Sequence, residues 1–372
     1  PTHTHLMSET DSLSTASLVG VDPAAEDTSG GHERGLAATP PHKGQGPRWA
    51  PVPFPAPLPP GYEPDDWEEP VYDARVHLQL ELPAEASHLE DGSFGYTTPF
   101  RVLSEDGTRA LRTIVAHHRC RASSNARIPL CLRGMAYRSQ FIRDLNHCPV
   151  LSGFLSSLAG TQLGAHGMPM NYAHTNVGVV GSSKRVDQWH TDSVPFVLVL
   201  LLSDMEGADG GDLELIDLPK ERALKVLRES GNRVPEEHLR RVKFPTMGTA
   251  IFMQGSELYH HVLPVHSAPE DRITLVNSYM PLDPRAVDKT RYCTFRCQEP
   301  PAPFEFARHR AWRAMEMLRV ELIERPDWPS APGEVAAMLR RAIDELSYAA
   351  RLVGEEEDDM PEEGNFFVEE EK

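Results

Sequence analysis

One stretch of this chain constrains its fold more than any other. Between Gln188 and Asp204, two potential metal ligands, His190 and Asp192, run directly into the apolar segment Val194 to Leu202. That segment is rich in Val and Leu and reads as a buried strand. In an extended chain residues i and i+2 project to one side, so His190 and Asp192 can face a single ion where the chain enters the strand. A further histidine, His260, stands 68 residues after Asp192, and Arg272 follows twelve residues beyond it. Two imidazoles and one carboxylate on one side of a metal leave other coordination positions open to chemistry.

The surrounding pattern is β-rich. Gly207-Ala-Asp-Gly-Gly211 is a turn signal, and Asp212 to Asp217 alternates polar with apolar residues at period two. The expectation is that the Val194 to Leu202 strand, this turn and the following strand make an antiparallel pair. Further strands are expected over Met168 to Val180, Gly248 to Gln254 and Arg272 to Tyr279. Together they are enough for a closed β-sandwich whose mouth can hold a metal.

A lone His-x-Asp is weak evidence in a chain with 17 histidines. The ordered set is stronger: it resembles the iron(II)/2-oxoglutarate-dependent dioxygenase superfamily, in which His-x-Asp, a distal His and then an Arg occur in this order. The resemblance covers roughly residues 165 to 282, where His260-x-Val262-x-Pro264-Val265 and Arg272-x-Thr274 are similar to the family's distal patterns. It implies an α+β fold, mainly β at its core: a double-stranded β-helix (jelly-roll or cupin-like) flanked by N-terminal and C-terminal helices. It also implies that His190, Asp192 and His260 hold Fe(II), and that Arg272 and the Thr274 hydroxyl hold the distal carboxylate of 2-oxoglutarate. A guanidinium is a planar, bidentate partner for such a group. His261 cannot share the metal-facing side of a strand with His260, and the Val-x-Pro-Val that follows sets the register on His260. The gap from His260 to Arg272 exceeds the commonest family spacing by a residue or two, so His266-Ser-Ala-Pro-Glu270 is expected to form an enlarged turn.

By the same resemblance, 2-oxoglutarate and O2 are co-substrates, succinate and carbon dioxide are released, and a substrate C–H bond is oxidised. Asp192 stands where the family's halogenases carry a small residue, which implies hydroxylation, with desaturation or ring closure as alternatives. The substrate is expected to be a small metabolite, first of all a free amino acid in secondary metabolism. Arg138, Arg185 and Asp187 are the candidate groups for its charges. Two other functions remain open from sequence: hydroxylation of a residue in a protein, and a catalytically silent barrel that binds metal or 2-oxoglutarate as a sensor or interaction module.

Composition sets the limits. The net charge is −18, of which Glu355 to Lys372, with ten acids and one lysine, contributes −9. Acidity of this kind disfavours nucleic acid as a partner. Five cysteines without a Cys-x-x-Cys pair fit reduced thiols and a cytoplasmic location. No secretory h-region and no run of about 18 apolar residues occurs, so neither secretion nor membrane spanning is expected.

Four regions follow from composition and pattern. Residues 1–66, ending in a proline-rich run, are expected to be disordered or draped over the surface. By the resemblance, residues 67–300 are expected to form the dioxygenase domain, with helices expected over Asp106 to Arg121, Arg138 to Leu158 and Pro219 to Ser230. Residues 301–353 supply helices over Phe304 to Glu324 and Gly333 to Val353, with Trp312, Met315 and Met317 packing on the core. Residues 354–372 are an acidic tail in which Phe366-Phe367 could dock onto the fold.

Overall fold

The computed structural model describes residues 50–354, apart from 56–57, 63–65, 126, 295, 297–298, 326 and 330, and the backbone of 366–367. The expectations for residues 1–49 and for most of the acidic tail therefore lie outside the described residues. Within them the fold is mixed α+β, with antiparallel sheets and flanking helices.

The strands that matter are β1 (His174–Gly178), β2 (Asp187–His190), β3 (Phe196–Leu201), β4 (Leu213–Ile216), β5 (Leu239–Val242), β6 (Thr249–Met253), β7 (His260–Val262), β8 (Arg272–Pro281) and β9 (Phe366–Phe367). One sheet runs Ala86–His88, Phe94–Thr97, β6, β3, β8, β1, Cys131–Leu132. A second, five-stranded sheet runs β5, β4, β7, β2, β9.

Period-two alternation decides which side chains meet. On β3, Leu198 and Leu200 join one apolar cluster, while Val197 and Val199 join another. On β6, Ala250 and Phe252 go with the first pair and Ile251 and Met253 with the second. The first cluster also takes Leu111 and Ile114 from α1 (Glu105–His118), Phe141 and Ile142 from α2 (Gln140–Asn146), and Leu151 and Leu155 from α3 (Pro149–Ala159). Helices thus cover that face of the larger sheet. The second cluster takes Leu213, Leu215 and Val262 from the smaller sheet, so the inner faces of both sheets share one core. With both faces buried, β3 is apolar at every position, as its sequence shows.

Several local expectations change. β3 and β4 are not a hairpin: both edges of β3 are taken by β6 and β8, while β4 pairs with β5 and β7 in the other sheet. The glycine-rich connection is a crossing between sheets, anchored by Asp209–Gly210 pairing with Val265–Ser267. That pairing also makes the start of the supposed enlarged turn a strand. Met168 to Val180 is not one strand, because a 3-10 turn at Pro169–Asn171 precedes β1.

The single helix expected from Arg138 to Leu158 is two, α2 and α3, separated at Cys148-Pro149. Proline lacks the N–H that would continue the helix and drives the preceding residue towards extended backbone; Cys148 has ψ 117°. α1 begins where Ser104 accepts the Gly107 N–H at 3.1 Å, with Glu105 and Asp106 favourably placed in its first turn.

On the outer face of the smaller sheet, Trp189, Ile216 and Tyr259 pack beneath Ala223 and Leu227 of α4 (Lys220–Ser230). After β8 come α5 (Ala302–Leu318) and α6 (Pro332–Gly354). Buried charges fasten them to the core: Asp288 lies 2.9 Å from His309 Nε2 and 3.1 Å from Arg310, while Glu345 of α6 pairs with Arg310 at 2.8 Å and Arg313 at 3.0 Å. Trp312 and Met317 are buried as expected, but Met315 is 66% exposed and packs on nothing comparable.

One buried acid in α5 gives a measurable signature. Burial pushes the Glu305 carboxyl up to about 8, against the Met170 N–H that it accepts at 3.0 Å. The folded state therefore keeps a proton that the unfolded chain releases near the ordinary value of 4.5, so folding stability falls as pH rises through this interval. Glu305→Gln still accepts the Met170 N–H and does not titrate. Its melting temperature is expected to decline less than that of the wild type between pH 5 and 8, and parallel declines would count against this assignment.

Candidate metal centre

Three elements bring the metal-ligand types together. His190 ends β2 and His260 begins β7, and the two are paired across the smaller sheet with ring centroids 4.2 Å apart. Asp192 follows β2 and turns its carboxylate towards both rings, with Oδ1 3.4 Å from His190 Nε2 and Oδ2 3.6 Å from His260 Nε2. One ligand atom from each residue lies within 4.8 Å of the others.

The hydrogen bonds behind the rings aim them. His190 Nδ1 lies 2.7 Å from the Gln188 carbonyl and His260 Nδ1 lies 2.9 Å from the Leu258 carbonyl. A carbonyl accepts only, so Nδ1 carries the proton in both rings and each Nε2 offers its lone pair towards Asp192. Burial and the neighbouring His190 push His260 down to about 4, which keeps it a neutral donor at neutral pH. Burial opposes ionisation of Asp192, yet the adjacent His260 and His190 hold its carboxyl below the ordinary value. Asp192 Oδ2 has no hydrogen-bond partner, so this donor set fits a divalent cation.

The backbone of the Asp192 segment is held independently. Its N–H donates to the Gly255 carbonyl at 2.8 Å, and Arg291 Nη2 donates to the carbonyls of Thr191 at 2.8 Å and Asp192 at 2.5 Å. A Cβ on Gly255 would stand 2.0 Å from Asp192 Oδ2, so glycine is what admits the carboxylate. Neither Arg291 nor Gly255 was marked by any pattern in the sequence.

His261 faces the opposite side of β7. It stacks on Trp189 at 3.7 Å and its Nε2 lies 2.7 Å from Glu214. Phe366 and Phe367 pair through their backbone with His190 and Trp189, which places β9 along the β2 edge of the smaller sheet.

Arg272 opens β8 in the larger sheet and is 1% exposed. Its Nη1 donates to Thr274 Oγ1 at 3.0 Å, while Nη2 has no partner. Burial lowers its affinity for a proton, to a pKa of about 10, which still leaves it charged at neutral pH. Gly211, at φ 75°, lets the chain pass against it: a Cβ there would be 3.1 Å from Arg272 Cδ. A buried guanidinium with an open donor fits an incoming carboxylate.

The three candidates for substrate charges do not converge. Arg138 lies over the Tyr62 ring at 4.9 Å and donates to the Gly61 carbonyl at 3.2 Å. Arg185 bonds His261 on the outer face. Asp187 pairs with Arg127 at 2.9 Å and sits 3.6 Å from His190 Nδ1, behind the ring.

A small cavity of about 40 Å³ does open beside Asp192, lined by Arg127, Arg133, Asn171, His174, Ser193 and Ser278 among others. Sequence reasoning missed these residues, because arginines in a loop carry no signal that separates a cavity wall from a solvated surface.

No protein-family model and no curated protein matches the chain. Among solved structures it is similar to HygX from Streptomyces hygroscopicus with nickel and 2-oxoglutarate bound, at 14% identity over 51% of this chain and 84% of that chain, TM-score 0.37. It is also similar to EctD from S. alaskensis with bound Fe, at 14% identity over 55% and 80% of the two chains, TM-score 0.37. A third is a Pseudomonas putida prolyl-4-hydroxylase, at 13% identity over 50% and 91%, TM-score 0.34. On the geometry of its own residues, His190, Asp192 and His260 converge around one position as two imidazoles and one carboxylate, the 2-His-1-carboxylate arrangement of a facial triad.

Proposed function

We propose that this protein is a non-haem iron(II)- and 2-oxoglutarate-dependent dioxygenase that oxidises a C–H bond of a small metabolite, a free amino acid being the first candidate. The observation that carries the reading is the buried Arg272, whose open Nη2 belongs to the same ordered set as the converged triad. A generic metal site needs no such charge. The order β6-β3-β8-β1 in one sheet and β5-β4-β7-β2 in the other supports a double-stranded β-helix, with the triad on the smaller sheet and the arginine on the larger.

In this reading His190, Asp192 and His260 would hold iron(II), and Arg272 with Thr274 would orient 2-oxoglutarate by its distal carboxylate. Iron and co-substrate, when bound, supply oxygen activation coupled to decarboxylation, and hydroxylation, desaturation or ring closure of the substrate would follow. The chain's own part is to present two imidazole donors aimed by their Nδ1 hydrogen bonds, keep Asp192 ionised and keep the anion-binding end dry. Incubation with iron(II), 2-oxoglutarate and air is expected to release succinate. Tight binding of both without succinate, across pools of amino acids and related metabolites, would make the protein a binding module instead.

A further inference from the structure

The cavity beside Asp192 is not lined by Arg272. Along β8, Arg272, Thr274, Val276 and Ser278 share one face, and only Val276 and Ser278 line the cavity. At about 3.3 Å per residue these two positions stand roughly 13 and 20 Å along the strand from Arg272, beyond the reach of that guanidinium.

The charges at the cavity do not cancel. Arg127 is matched by Asp187 at 2.9 Å, and Asp192 would be matched by the metal. Arg133 has no ion pair among the described residues, and its Nε is buried without a hydrogen-bond partner. Burial lowers its affinity for a proton. Three further polar groups end here unsatisfied: Asn171 Nδ2, His174 Nε2 and Ser193 Oγ, in residues 4%, 8% and 6% exposed. Burial, with Arg133 and Arg127 beside it, holds His174 well below its ordinary value, so it is a neutral hydrogen-bonding group. A half-buried cation whose Nε lies buried without a partner, beside open neutral groups, is best completed by an anion.

Resting on the oxygenase reading above, we propose that this cavity is the substrate's carboxylate subsite, with Arg133 as the ion-pair partner and Asn171 among the groups that complete the anion's hydrogen bonds. The volume sets the size of the group. At about 40 Å³ the cavity suits a small anionic group such as a carboxylate. The substrate would thus be an organic acid held by its carboxylate next to the metal, with the rest of the molecule extending outward. This also separates it from 2-oxoglutarate, whose distal carboxylate belongs to Arg272.

Acetate is the test probe, because it fits the subsite without the rest of a substrate. The melting temperature of the full chain, loaded with redox-inert nickel(II) and saturating 2-oxoglutarate, is followed against sodium acetate and against sodium chloride at equal ionic strength. An acetate-specific rise is expected in the wild type, with apparent affinity about tenfold or more weaker in Arg133→Gln. Arg133→Met, of similar length and uncharged, replaces the glutamine variant if that one does not fold. Absence of an acetate-specific rise in the wild type, or an equal rise in the variant, overturns the proposal.

A second arm titrates anaerobic iron(II)-loaded protein with 2-oxoglutarate and follows the charge-transfer band of the chelate. Unchanged co-substrate affinity in Arg133→Gln supports the subsite. A loss as large as that for acetate assigns Arg133 to the co-substrate and overturns it. If the oxygenase reading itself fails, the wild type gives no chelate band. The acetate response, measured then on metal-free protein with Arg272→Gln as control, still reports on Arg133.

Discussion

Alanine at His190, Asp192 or His260 is expected to abolish iron-dependent turnover and to leave the fold largely intact. Each side chain offers its donor atom to one shared position, and loss of any one leaves two ligands where three converge. The effect should exceed the roughly 10- to 100-fold loss typical when only a residue supporting a ligand is removed. The fold should survive because none of the three belongs to an apolar cluster. His261→Ala is the informative control. It removes a stack on Trp189 and a partner of Glu214, so stability should drop while iron content is kept. Iron content and turnover measured together decide the matter: full iron in His260→Ala with loss in His261→Ala would reverse which histidine is the ligand.

Much of this site was legible in the sequence because its chemistry is carried by short segments with fixed local geometry. His190 and Asp192 flank the start of a strand whose Val and Leu content announces burial, and Arg272 and Thr274 share one face of another strand by period two alone. What was not legible depends on which surfaces meet. The segments that became β3 and β4 are neighbours in sequence with a glycine-rich connection between them, which fits a hairpin as well as it fits a crossing between sheets. Only the competition of β6 and β8 for both edges of β3 decides it. Pro149 was a readable stop inside the supposed long helix, and the periodicity of the flanking residues masked it. Met315 is apolar at a plausible helical position yet faces outward, because α6 and the core occupy other faces of α5. Arg133 and Arg127 show the limit most clearly: one is matched and the other is not, and that difference exists only once Asp187 has been brought beside Arg127 by the fold.

Arg272 separates a 2-oxoglutarate enzyme from any other metal-binding sandwich. Its guanidinium is 1% exposed, has one donor on Thr274 and one donor open, and meets no carboxylate within ion-pairing distance among the described residues. If it pairs with the distal carboxylate of 2-oxoglutarate, Arg272→Ala leaves that carboxylate dry and unmatched, at a cost of about 2 to 5 kcal/mol. At 1.4 kcal/mol per decade this is roughly 30- to 4000-fold weaker co-substrate binding. Iron binding should persist, because Arg272 is not one of the converging ligands. Thr274→Ala removes one neutral hydrogen bond and should weaken the same step by only about 1 kcal/mol. The ratio of the two effects tests the geometry as well as the chemistry, since a guanidinium acting merely as structural support would lower stability without this graded loss of affinity. Titration of anaerobic iron(II)-loaded protein with 2-oxoglutarate, following the chelate band, reads both variants. Unchanged affinity in Arg272→Ala would leave the facial triad without its co-substrate clamp and would remove the main support for 2-oxoglutarate as the electron donor.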